Sequence, residues 1–241
     1  MIAPLGAPSI TEAIRAGAEV YAKLRSALVG RNLATGLGDE GGFAPEVTTP
    51  EEALTLLMEA ITAAGYLTGP AGVAIALDPA ASEFHSDGSY RFGGEALSNM
   101  ELVERYVQMV EEFPIYSIED GMGESDTAGW RALTERLGER VQLVGDDNFV
   151  TNPTLIEVGA RAGIANAALI KVNQVGTVTE TLDALRVCRD VGYAAMISHR
   201  SGETMDTFIA DLAVASGCGQ LKSGAPARGE RVAKYNQLIR I

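Results

Sequence analysis

Residues 167–176 read AALIKVNQVG. Four small or apolar residues run straight into Lys171, and Val172 follows it. Such a run predicts a strand buried on both faces, as in a parallel sheet. An ammonium has no cheap place there, because burying it unpaired costs several kcal/mol. Two readings stand open on this segment alone. Lys171 is either a functional amine in a protected site or a lysine at a strand end with its head in solvent.

The pattern recurs along the chain. VAIALD (73–78), IYSIED (115–120), VQLVGDD (141–147), ALIKVNQ (168–174), AAMISHR (194–200) and GQLKSGA (219–225) are six predicted strands. Helical spacing and start signals lie between them. Ser98-x-x-Glu101 and Thr177-x-x-Glu180 read as capping boxes, and Asn152-Pro153 as a helix start. Alternating strands and helices with short loops predict right-handed βα units around a parallel sheet. Asp78, Glu119, Asp146, Lys171, His199 and Lys222 fall at successive strand ends, separated by 41, 27, 25, 28 and 23 residues. Charges at every strand end favour a barrel, whose strand ends ring one mouth. An open doubly wound sheet would gather them at one switch point.

The first 72 residues differ. MIAP is a possible strand stub. Ser9-x-x-Glu12 opens a helix to about Leu28, and Thr49-Pro50 opens a second to about Ala64. Between them lies the glycine-rich TGLGDEGGFAPE, with adjacent Asp39 and Glu40. HSDGSYRF (85–92) reads as a β-like turn region. A closed eight-stranded barrel is therefore short of strands at its N-terminal side.

Composition narrows the functional classes. The chain has 241 residues, 46% hydrophobic and 21% charged, with net charge −13 and pI ≈ 4.6. No basic run suits nucleic acid or an anionic membrane surface. No apolar run approaches the ~18 residues of a membrane span. The first residues lack the basic and apolar regions of a signal peptide. Cys188 and Cys218 are isolated, without metal-ligand spacing, and suit a reducing cytoplasm.

Asp78, Glu119 and Asp146 bring three carboxylates to adjacent strand ends, where they would repel one another. A hard divalent cation removes that repulsion, and oxygen-only ligands favour Mg²⁺. Burial and the field of a cation both favour a neutral Lys171, the form that acts as a base. Arg200 and Lys222 supply anion-binding charge and Ser201 a hydroxyl. An anionic substrate bridging metal and cations is expected, with proton abstraction next to a carboxylate.

The motifs GDEGGFAPE, LDPAASEF, YSIED, GDDNFVTNP, LIKVNQVGT, ISHRSGETMDTFIADL and LKSGAPARGERVAKYNQLIRI together resemble enolase, the phosphopyruvate hydratase family of glycolysis, and bacterial members most of all. The resemblance runs from Met1 to Ile241. It implies an α/β fold, an enolase-type (βα)8 TIM-like barrel incomplete at its N-terminal side. Residues 1–241 would form the C-terminal barrel domain, with 1–72 a helical segment carrying the catalytic loop.

By matching residues it implies Mg²⁺ held by Asp78, Glu119 and Asp146. It implies Lys171 as the base that takes the C2 proton of 2-phosphoglycerate, and Glu40 as the acid that helps the C3 hydroxyl leave. Arg200 and Ser201 match phosphate contacts, Lys222 a contact on the carboxylate side, and His199 the histidine of a mobile closing loop. A homodimer is the family's habit. Against the family pattern, the preceding α+β domain, the first barrel strand and the Ser-His-Ala-Gly and Gln-Glu-Phe motifs are missing. Asn148 stands where relatives carry an apolar residue, and Gly121 where many carry proline. Two alternatives follow: a catalytically impaired chain that only binds partners, and an acid-sugar dehydratase of the same superfamily.

Overall fold

A computed structural model describes residues 1–241. Ten strands and nine α-helices follow one another along the chain, with a short 3₁₀ turn at Ala81–Phe84. The strands are β1 (Ile2–Ala3), β2 (Ala74–Leu77), β3 (His85–Ser86), β4 (Ser89–Phe92), β5 (Glu95–Leu97), β6 (Ile115–Glu119), β7 (Gln142–Gly145), β8 (Ala167–Ile170), β9 (Ala194–Ser198) and β10 (Leu221–Lys222). The helices are α1 (Ile10–Gly30), α2 (Pro50–Ala63), α3 (Asn99–Glu112), α4 (Thr127–Leu137), α5 (Pro153–Ala162), α6 (Val172–Val175), α7 (Val178–Val191), α8 (Phe208–Ser216) and α9 (Gly229–Arg240).

Seven strands form one sheet in the order β1-β2-β6-β7-β8-β9-β10. All neighbours are parallel except β1, which pairs antiparallel with β2. The MIAP stub is thus a strand, but its direction departs from the parallel expectation. The reason lies in the two helices that follow it. A second helix carries the chain back to the end of the sheet that β1 had reached, so β2 must run the other way.

The sheet curls. β2 and β10 are five strand spacings apart in the sheet order, roughly 24 Å if it were flat. Yet Lys222 Nζ on β10 lies 2.7 Å from Asp78 Oδ2, just past β2. Below this mouth, Gln142 of β7 and Gln220 beside β10 exchange two amide hydrogen bonds across the interior, at 3.0 and 2.8 Å. The curl is incomplete, because the sheet order ends at β1 and β10. Helices cover the outer face, as the βα alternation predicts.

Strand β8 is buried throughout: Ala167, Ala168, Leu169 and Ile170 are each 0% exposed. It is shorter than expected. The strand stops at Ile170, and Lys171 caps the single-turn α6. The Lys171 amide leaves the ladder because it donates to the Thr151 hydroxyl instead.

One other expectation shifts. Residues 85–97 form a separate three-stranded antiparallel sheet, β3-β4-β5, which extends the β-like turn region expected over 85–92. After β9 the chain runs as a loop, and α8 begins only at Phe208. The Glu203 carboxylate is engaged by Lys234 Nζ at 2.9 Å and by the Arg200 amide at 3.3 Å, which holds 200–207 as a loop. The expected caps at Ser9, Thr49, Ser98, Asn152 and Thr177 all accept a backbone N–H of their helix. No helix is long and apolar enough to cross a membrane.

Candidate active site

The strand ends of the curled sheet converge on two ion-pair groups. In the first, Lys222 Nζ stands 2.7 Å from both Asp78 Oδ2 and Glu119 Oε1. The Lys222 side chain is 9% exposed and that of Glu119 3%. Burial works against the Lys222 charge, but Glu119 and Asp78 outweigh it and hold the ammonium above the ordinary lysine range. Burial pushes the Glu119 carboxyl upward, against the attraction of Lys222, and the nearby Asp78 and Asp146 charges push the same way.

In the second group, Lys171 Nζ lies 2.5 Å from Asp146 Oδ2, with the side chains 16% and 12% exposed. Lys171 is neither stranded in the apolar layer nor free in solvent. Its stem passes the strand end and its head is paired.

Asp120 accounts for how the acids are held. Its oxygens accept the backbone N–H groups of Asp146 (2.8 Å) and Asp147 (3.1 Å). That ties the loop after β7 to the end of β6. Burial raises the Asp120 carboxyl to about 7, with those two amides pulling the other way. Asp120 has φ of +45°, in the left-handed region. The carboxylates that close to within 4.8 Å of one another are Asp120, Asp146 and Asp147. This trio shares only Asp146 with the set expected from sequence. Asp120 already spends both oxygens on amides, so its first role is to shape the loop.

Two buried oxygens, Glu119 Oε2 and Asp146 Oδ1, have no hydrogen-bond partner. Such atoms are costly unless something satisfies them. Oxygen-only donors with two unsatisfied buried acceptors fit a hard divalent cation.

On the other side of the mouth, Glu40 Oε2 lies 3.4 Å from His199 Nε2. The His199 contact holds the Glu40 carboxyl down at about 2, against its partial burial, and the charges of Lys222 and Arg231 act in the same direction. The glycine-rich loop bearing Glu40 is not loose. Tyr21 donates to the Gly41 carbonyl at 2.9 Å and stacks on Phe43 at 4.4 Å. The Ala225 amide donates to the Glu40 carbonyl at 2.9 Å.

Arg200 and Ser201 follow β9 and line an open polar pocket of about 320 Å³ with Asn173 and Gly202. All nine residues expected from the sequence therefore lie at the strand ends or on the loops around one mouth. They form separate groups: Asp78–Glu119–Lys222, Asp146–Lys171, Glu40–His199 and the Arg200–Ser201 pocket.

Four residues escaped the sequence reading. Asp120 stands in sequence as the last residue of the IYSIED strand-end pair. Asn173 falls inside the strand predicted over 168–174. Thr151 is fully buried with φ of +60°, and Arg231 is 1% exposed. A charged residue in a helix otherwise reads as surface, so nothing local marked Arg231.

Over residues 1–241, the chain matches the family model described as the C-terminal TIM barrel domain of enolase.

Proposed function

Because the chain belongs to the enolase family, we propose that it is a magnesium-dependent lyase that converts 2-phosphoglycerate to phosphoenolpyruvate. The observation that carries this reading is the clasp of Lys171 on Asp146 at 2.5 Å beside the Asp78–Lys222–Glu119 group, with Glu40 and His199 at the same mouth. Such a mouth suits a small polyanion that must lose a proton on one side and a hydroxyl on the other.

Asp78, Glu119 and Asp146 would hold Mg²⁺, which when bound neutralises charge growing on the substrate carboxylate. Arg200 and Ser201, with Asn173 beside them, bind the phosphate as charge-assisted and neutral donors. Lys222 faces the carboxylate side. Lys171 serves as base once its amine is released from Asp146 and carries a free lone pair. It takes the proton from C2. The electron pair left at C2 forms the C2–C3 double bond as the C3–O bond breaks. Glu40 supplies the proton with which the hydroxyl leaves as water.

A carboxyl held near 2 is ionised at neutral pH, so Glu40 needs help to become an acid. The arriving phosphate and carboxylate bring like charge and exclude water, and both favour its protonated form. Free Cys188 and Cys218 support a reducing cytoplasm as the place of this activity.

The test is the ultraviolet absorbance of the enol product during incubation with 2-phosphoglycerate and Mg²⁺. Turnover is expected, and Lys171→Ala should abolish it while leaving Mg²⁺ binding intact. No signal from folded, Mg²⁺-binding protein would reject the reading. That result would favour the binding-only alternative, for which the unpaired sheet ends at β1 and β10 are the supporting observation.

A further inference from the structure

Arg231 of α9 meets four acceptors near the mouth through its two terminal nitrogens. Its Nη1 donates to His199 Nδ1 at 2.5 Å and to the Arg200 carbonyl at 2.7 Å. Its Nη2 donates to the Asp39 carbonyl at 3.0 Å and to the Ser201 carbonyl at 2.6 Å. Gly224, with φ of +80°, makes room for this. A Cβ there would stand 3.0 Å from Arg231 Cδ and 2.6 Å from the Glu40 carbonyl oxygen.

A guanidinium offers donors only and keeps its proton. The ring nitrogen it touches must therefore present a lone pair. With Nδ1 so occupied, a neutral His199 carries its single proton on Nε2. Nε2 is buried without a hydrogen-bond partner of its own, and Oε2 of Glu40 lies 3.4 Å away. Small closure of that gap makes an N–H···O bond.

We propose that Arg231 is a positioning residue: it holds His199 in the Nε2–H tautomer, so that His199 reserves Oε2 of Glu40 and leaves Oε1 to carry the proton toward substrate. The same guanidinium fastens the glycine-rich loop at Asp39 to the Arg200–Ser201 loop, which sets the proton donor and the phosphate pocket in one frame. This rests on the reading of Glu40 as the acid. A lysine at 231 could point one ammonium at Nδ1 but could not span four acceptors with a planar fork.

The chain has two histidines, His85 and His199, so the tautomer can be read directly. The full chain labelled with ¹⁵N-histidine would be examined by long-range ¹H–¹⁵N correlation, with His85→Gln assigning the two rings. The wild-type chain is expected to show His199 protonated on Nε2 with Nδ1 bare. Arg231→Met should lose that preference and lower kcat on the order of 10- to 100-fold with KM little changed. Arg231→Lys should keep the tautomer and recover part of kcat. A wild-type His199 protonated on Nδ1 would overturn the proposal, as would an Arg231→Met chain with the Nε2–H tautomer or kcat unchanged. If Arg231→Met fails to fold, the wild-type spectrum and Arg231→Lys still decide. The tautomer is visible without turnover. An inactive chain with the expected spectrum would thus count against the lyase reading alone.

Discussion

The backbone amide of Lys171 donates to the hydroxyl of Thr151 at 2.9 Å. That hydroxyl donates onward to Gln174 Oε1 at 2.8 Å. The loop after β7 thus grips Lys171 twice, by its amide through Thr151 and by its ammonium through Asp146. Thr151→Val keeps the shape and removes the hydroxyl, leaving a buried N–H unpaired. It should cost about 1–3 kcal/mol in denaturant unfolding and lower turnover. Thr151→Ser keeps the bond and removes the β-branch from a residue at φ of +60°. Its stability should match or exceed that of the wild type.

Mg²⁺ should stabilise the folded chain. A ligand present at one hundred times its Kd adds about 2.7 kcal/mol, which thermal unfolding with and without Mg²⁺ would report. Glu119→Gln removes a charged donor whose Oε2 has no partner, so the Mg²⁺-dependent rise in Tm should largely vanish. A Glu119→Gln chain that responds to Mg²⁺ as the wild type does would remove Glu119 from the metal set.

Acid should weaken the hold on the glycine-rich loop. Glu40 has a folded-state pKa of about 2, below its ordinary value of 4.5. A depressed carboxyl contributes stability that is present above about pH 4.5 and is lost as pH falls toward 2. The Glu40 side chain is 44% exposed, so solvent screening limits the contribution to about 1 kcal/mol. Unfolding of wild type and Glu40→Gln at pH 5.5 and pH 3 should show the difference between them shrinking at the lower pH.

Phe149 is wedged between two glycines. A Cβ on Gly145 would stand 2.5 Å from its Cε2, and one on Gly159 2.4 Å from its Cε1. The ring is 1% exposed and anchors the loop that carries Asp146 and Thr151. Gly159→Ala should destabilise by about 1–3 kcal/mol through overpacking. Adding Phe149→Leu should cost less than the two single changes sum to, because the sites share one space.

Much of the architecture was legible in local chemistry. The six predicted strands all form, though each is shorter than its predicted range and β10 keeps only Leu221–Lys222. The predicted N-caps hold because a side-chain oxygen three residues from an N–H decides them. The chain's membership of the enolase family rests on a match over residues 1–241, the same span over which the sequence motifs resemble that family.

What the sequence by itself determined was the order of strands, the helix starts and the charged residues at strand ends. Those features depend on residues a few positions apart. Only the tertiary structure decided the direction of β1, the β3-β4-β5 sheet and the pairing of each charge. Lys222 meets Asp78 across 144 positions, and Arg231 meets Asp39 across 192. Such contacts exist only because the curled sheet brings its distant strands together. No short-range pattern marks a buried arginine or an aspartate spent on two amides. Their roles are set by the partners that folding brings within hydrogen-bond reach.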